Sequence, residues 1–123
     1  MTLPTRKNGF VILASWFNSI RDEIAALSTP TKTVTASYSL LGSDSVLFVD
    51  STSGAVVITL PSALDAKDKR FTIKANCGAS MVLPNSITVD STSGTIDGAA
   101  SFSFEENLQT FAVVSDGSNW VAI

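Results

Sequence analysis

Eleven Asp and Glu residues, one Cys and no His make up the acid–base and nucleophilic inventory of this 123-residue chain. The missing histidine removes the usual general base near neutral pH, every Ser-His-Asp or Cys-His constellation and nearly all tetrahedral zinc sites. Only carboxylates remain. Glu105 and Glu106 are adjacent, so on a strand they would face opposite sides and could not share a proton as a catalytic dyad must. A solvated loop suits them better. Asp50 and Asp90 lack the closely spaced acidic neighbours of a calcium loop. In Asp65-Ala66-Lys67-Asp68-Lys69-Arg70 the signs alternate, which favours mutual pairing at a loop leading into a strand over anion recognition. No glycine-rich phosphate cradle precedes a helix. Cys77 has no partner for an internal disulfide and reads as a small buried or half-buried side chain. The chain therefore reads as no enzyme, with no catalytic, cofactor-binding or metal-ligating residues and no cofactor.

Recognition is the chemistry left, and the N-terminal quarter carries a pattern for it. Leu13, Phe17, Ile20, Ile24 and Leu27 are spaced by 4, 3, 4 and 3 residues, a heptad seam rather than the alternation of a strand. Ser15 is placed to cap such a helix, and Thr29-Pro30 stops it. Phe17 and Ile24 take a positions, while Leu13, Ile20 and Leu27 take d positions. Isoleucine at both kinds of position moves the preference from dimers toward trimers. A helix of two heptads is marginal alone in water, so something must cover the seam: the chain's own β body, further copies, or another protein. We take self-association on a three-fold axis as the reading, with these five residues as the trimer interface. Ahead of them, Met1 to Phe10 reads as an extended arm, broken by Pro4 and Asn8-Gly9 and charged at Arg6-Lys7. Leu3, Arg6, Lys7, Phe10 and Trp16 are its candidate docking residues. The apolar run Phe10 to Ala14 has five residues, too short for a signal-peptide core or for the roughly 20 residues that span a bilayer.

The elements that must position this seam are strands. Serine and threonine number 31 of the 123 residues and outnumber the 19 charged groups, a bias toward strands and turns. Candidate strands run Thr33 to Leu40, Val46 to Val49, Ala55 to Leu60, Arg70 to Ala75, Met81 to Leu83, Ser86 to Val89, Ser101 to Phe104, Thr110 to Ser115 and Trp120 to Ile123. Short strands at about ten-residue spacing predict a mainly β fold: an arm and helix over residues 1–30, then a compact antiparallel β-sandwich or barrel-like domain over 31–123, homotrimeric. The string Val49-Asp50-Ser51-Thr52-Ser53-Gly54 recurs 40 residues later as Val89-Asp90-Ser91-Thr92-Ser93-Gly94. It reads as two equivalent turns, each with an Asp cap and a glycine at positive φ, and not as a solenoid, which needs at least three units. Residues 1–74 hold all eight basic side chains against six acidic ones, whereas residues 75–123 hold five acidic ones alone. That predicts an electronegative end, which would repel nucleic acid and anionic membrane. Neither is expected as a partner.

Residues 46–123 resemble a module of tailed-bacteriophage virion proteins. The resemblance lies in Val46-Leu47-Phe48-Val49-Asp50-Ser51-Thr52-Ser53-Gly54, Ile58-Thr59-Leu60-Pro61, Lys69-Arg70-Phe71-Thr72-Ile73-Lys74, Thr95-Ile96-Asp97-Gly98-Ala99 and Val114-Ser115-Asp116-Gly117-Ser118-Asn119-Trp120. Leu3-Pro4-Thr5-Arg6 and Ala14-Ser15-Trp16-Phe17-Asn18 are similar to the opening of small phage structural proteins. Such modules are compact all-β homotrimers, so the resemblance implies a virion protein assembled in the host cytoplasm. A helix this short gives only about 20 Å of shaft. The expected function is therefore a trimeric capsid decoration, cement or head-fibre protein whose arm docks on the major capsid protein or a neighbouring virion protein. A receptor-binding tail fibre or tip, or a neck adaptor, is the alternative. A tip that binds a host surface receptor would need an exposed aromatic platform, with Tyr38 and Trp120 available.

Overall fold

In the computed structural model, residues 30–123 are described, and they form nine strands. These are β1 (Thr31–Val34), β2 (Tyr38–Ser39), β3 (Val46–Val49), β4 (Val56–Leu60), β5 (Arg70–Ala75), β6 (Ile87–Ser91), β7 (Ser101–Ser103), β8 (Thr110–Ser115) and β9 (Trp120–Ala122). The mainly β expectation holds. The antiparallel one does not. The strands make a five-stranded sheet in the order β1-β3-β5-β8-β9 and a four-stranded sheet in the order β2-β4-β6-β7. Pairs β1–β3, β3–β5, β2–β4 and β4–β6 are parallel, and only β5–β8, β6–β7 and β8–β9 are antiparallel. Successive strands thus alternate between the sheets from β1 to β6, winding three turns of a coil before antiparallel strands finish each sheet, β7 the four-stranded one and β8 and β9 the five-stranded one. Neither sheet closes on itself, so the body is an open sandwich and not a barrel.

Alternation within each strand builds the core. β5 and β8 both read exposed, buried, half-buried, buried, half-buried, buried, as period-two strands with one face inward must. Leu47, Val49, Phe71, Ile73, Val113 and Trp120 from one sheet meet Val56, Ile58, Leu60, Ile87 and Val89 from the other, all 1% exposed or less. Phe102 of β7 stacks on Phe111 of β8 with ring centroids 3.9 Å apart, and Phe104 lies edge-on to Phe102 at 5.5 Å. These rings join the two sheets where the coil gives way to the returns.

Several local expectations are corrected. Thr33 to Leu40 is not one strand: the chain turns at Thr35-Ala36-Ser37 and changes sheet. Met81 to Leu83 is not a strand, because Asn107 and the Ser80 hydroxyl take the hydrogen bonds of its backbone. The repeated hexapeptide does not make equivalent turns. Its first copy leaves β3, and the Asp50 carboxylate accepts from the Thr52 amide at 3.0 Å. In the second copy Asp90 lies within β6, opposite Thr59 and Ser101. Only Gly94 has positive φ, at 76°, and a Cβ there would overlap the Ser118 carbonyl oxygen, whereas at Gly54 a Cβ would meet nothing. β5 lies between β3 and β8, so Arg70 stands beside Val114 and Lys74 beside Thr110 of the C-terminal stretch.

Candidate functional site

The ten residues expected to carry function, Leu13, Phe17, Ile20, Ile24 and Leu27 in the trimer interface and Leu3, Arg6, Lys7, Phe10 and Trp16 in docking, lie outside the described residues. The described body supplies the surfaces they would work with. Strand register divides those surfaces into two faces of opposite character.

On the five-stranded sheet, residues alternating with the core positions face outward. Val46 stands beside Thr72 and Thr72 beside Ala112; Phe48 stands beside Lys74; Val114 stands beside Arg70 on one side and Val121 on the other. Ile123 donates its amide to Ala112 and is 64% exposed. None of Val46, Phe48, Ala112 or Val114 touches the core cluster. The outer face of the four-stranded sheet is hydroxylated instead: Ser39, Thr59, Asp90 and Ser101 form one row, and Val57, Thr88 and Ser103 the next. Val57 is its single large apolar side chain.

The first turn of the coil leaves an open edge on both sheets, and its side chains guard it. Lys32 pairs with the buried Leu47 and so points inward on the edge strand β1. Its Nζ lies 4.5 Å from the Tyr38 ring centroid on the other sheet's edge strand. The Tyr38 hydroxyl donates to Asp44 at 2.7 Å, and the Leu41 amide donates to the same carboxylate oxygen at 2.8 Å. An inward-pointing lysine on an edge strand opposes pairing with another strand.

Side-chain hydrogen bonds tie the loops together at both rims. At one, Asn107 is fully buried; its Oδ1 accepts from the Cys77 amide at 2.8 Å and its Nδ2 donates to the Gly78 and Ser80 carbonyls at 2.9 and 2.6 Å. Ser51 donates its amide to the Cys77 sulfur at 3.3 Å and its hydroxyl to the Asn85 carbonyl at 2.8 Å. This ladder clamps a loop that exposes Met81 and Val82. At the opposite rim the Asn119 side chain accepts from the Thr95 amide at 2.8 Å, and Asp116 accepts from the Ser118 and Asn119 amides at 2.9 and 2.8 Å. These amides hold the Asp116 carboxyl below its usual range, the Asn119 bond most, and the Thr52 hydroxyl followed by its amide does so for Asp50. Among the described residues every buried side-chain nitrogen and oxygen has a partner.

Chemistry-bearing residues are dispersed. Glu105 and Glu106 lie on an exposed turn with their amides donated to Gln109 Oε1. Cys77 is half-buried and free. The charged cluster of residues 65–70 borders a shallow cleft of about 330 Å³, lined by Gly42, Pro61, Asp65, Ala66, Lys67 and Lys69. Its lysines are engaged elsewhere: the Lys67 stem lies against Gly117, and Lys69 Nζ sits 5.2 Å from the Phe71 ring centroid. Among the described residues no three Cys, Asp or Glu side chains are placed to hold a metal ion. Trp120 is fully buried, with Nε1 donating to the Pro61 carbonyl at 3.2 Å, so it offers no aromatic platform. Sequence reasoning missed Asn107 and the apolar sheet face. Strand register assembles that face, parallel between β3 and β5 and antiparallel from β5 to β9, and sequence does not display it. No protein-family model, curated protein or solved structure matches this chain.

Proposed function

We propose that the chain is a homotrimeric structural protein of a tailed-bacteriophage virion, a capsid decoration or head-fibre protein without catalytic activity. Residues 13–27 hold three copies together, and Leu3, Arg6, Lys7, Phe10 and Trp16 dock on the major capsid protein or a neighbouring virion protein. The setting rests on the resemblance of residues 46–123 to virion modules. The observation that carries assembly is the join at Pro30. The heptad seam stops at Leu27 and β1 begins at Thr31, four residue steps that reach at most about 14 Å. A rigid body tied this closely to a self-associating seam is delivered to the axis with its two neighbours, and three copies of a weak arm then act with avidity.

Sedimentation of the full chain at micromolar concentration should give a trimer, converted to monomer by Ile20→Asp with Ile24→Asp. A monomeric wild-type chain would sink the proposal. Deleting residues 1–7 should abolish binding to undecorated capsids and leave the trimer intact. Retained binding would refute the role of the arm, and binding to host cells alone would favour a receptor-binding tip.

A further inference from the structure

We propose that the outer face of the five-stranded sheet is where the three β bodies touch one another, facing inward around the axis set by the N-terminal seam. This rests on the trimeric reading, and it names the second surface that reading requires. The partner is two more copies of this chain.

The argument is one of elimination at Pro30. The connection from Leu27 to Thr31 keeps β1 within about 14 Å of the seam, and β1 is an edge strand. The three surfaces adjoining β1 are therefore the ones brought nearest the neighbouring copies. The open edge of β1 and β2 is guarded: Lys32 points inward over Tyr38, which is itself tied to Asp44. The outer face of the four-stranded sheet presents Ser39, Thr59, Asp90, Ser101 and Ser103 in rows, groups that would lose water without gaining partners. The outer face of the five-stranded sheet presents Val46, Phe48, Ala112, Val114, Val121 and Ile123 around Arg70, Thr72 and Lys74 of β5, and no described element covers them; the long stems of Arg70 and Lys74 can carry their charges to the rim of a contact while their methylenes pack in it. β1 is the edge strand of that same sheet.

Magnitude assigns the face a supporting role. Five strands of about five residues at about 3.3 Å each project roughly 300 Å², well under the about 800 Å² per partner of a stable interface. The face cannot hold a trimer by itself. It fixes how bodies already tethered by the seam are oriented.

Thiol accessibility in the full-length protein tests this. Single cysteines replace Val46 and Val114 on one face and Thr59 and Thr88 on the other, and the maleimide rate of the wild-type chain supplies the Cys77 background. Each variant is measured as the trimer and with Ile20→Asp and Ile24→Asp added, with sedimentation on the same samples and Trp120 fluorescence in a Trp16→Phe background confirming the fold. The thiols at 46 and 114 should react about tenfold or more slowly in the trimer than in the seam-broken monomer, because a packed thiol reacts only when the contact opens. The thiols at 59 and 88 should react equally in both. Equal rates at 46 and 114 in a confirmed trimer overturn the inference and leave the trimer standing. Protection at 59 and 88 instead overturns it as well. A wild-type monomer overturns both readings, and if its 46 and 114 thiols are slow, the chain's own N-terminal segment covers the face. Slowing only on addition of capsids assigns the face to the capsid and overturns it too.

Discussion

The two sheets of this sandwich share a core and differ on their outsides. Both contribute aliphatic residues with no exposure, such as Ile73 and Ile58, and both use parallel strands for the coil. Outside, one sheet places Val46, Phe48, Val114 and Val121 where the other places Thr59, Thr88, Asp90 and Ser103. Folding alone does not require that difference, since alternation with polar residues outward satisfies a half-exposed sheet. Apolar side chains gathered around Arg70 and Lys74 on one outer face, in the sheet whose edge is β1, form the surface we propose for a second contact.

Charging the two faces should separate them most. Val46→Asp is expected to weaken assembly by about 3 kcal/mol or more, because its strand neighbours are Thr31 and Thr72 and an unpaired carboxylate would be buried at the contact. Thr88→Asp on the other face should change it by less than about 0.5 kcal/mol. Dilution sedimentation reads both, and equal effects would erase the distinction between the faces. Next comes the clamp that joins the returns of the two sheets. Asn107→Ala leaves the Cys77 amide and the Gly78 and Ser80 carbonyls without their partner, and should cost about 2–3 kcal/mol of folding stability in denaturant titration.

The repeated hexapeptide offers the same residues leaving each sheet. Gly94→Ala should cost about 1–3 kcal/mol, since its φ of 76° and the Ser118 carbonyl oppose a Cβ. Gly54→Ala has open space and ordinary φ, so it should change stability by less than about 1 kcal/mol. The smallest effect is acidic. Asp50 and Asp116 titrate below their ordinary 3.8 in the folded chain, so the stability they contribute is complete above that value and is lost as pH falls through the lowered folded-state range. Asp50→Asn should flatten the acid limb of a melting-temperature profile, and an unchanged limb would contradict the Thr52 bond.

Arg70–Ala75 was legible as a strand because it alternates, and Val46–Val49 and Thr110–Ser115 because they are short apolar runs that end at turn residues. Their pairing was not. Val46 lies beside Thr31, fifteen residues earlier, and beside Thr72, twenty-six later, while Ile58 lies beside Tyr38 and Val89, twenty earlier and thirty-one later. A coil with such unequal turns leaves no period to find. The hexapeptide repeat drew attention to a 40-residue spacing that matches no pairing between turns, and identical residues met different neighbours: Cys77 and Asn85 around Ser51, Ser93 and Ala100 around Ser91. Burial of Asn107 was invisible because its partners come from a loop some thirty residues away. The expected seam is a local pattern read from its own spacing alone, and it lies outside the described residues.

The most direct measurement is an electron-microscopy map of the free assembly at a resolution that distinguishes the two sheets, fitted with residues 30–123 as a rigid body. The prediction is three bodies around one axis, with Phe48 and Val114 turned inward and Thr88 and Ser103 outward. Bodies with the four-stranded sheet inward, or standing apart without contact, would contradict it.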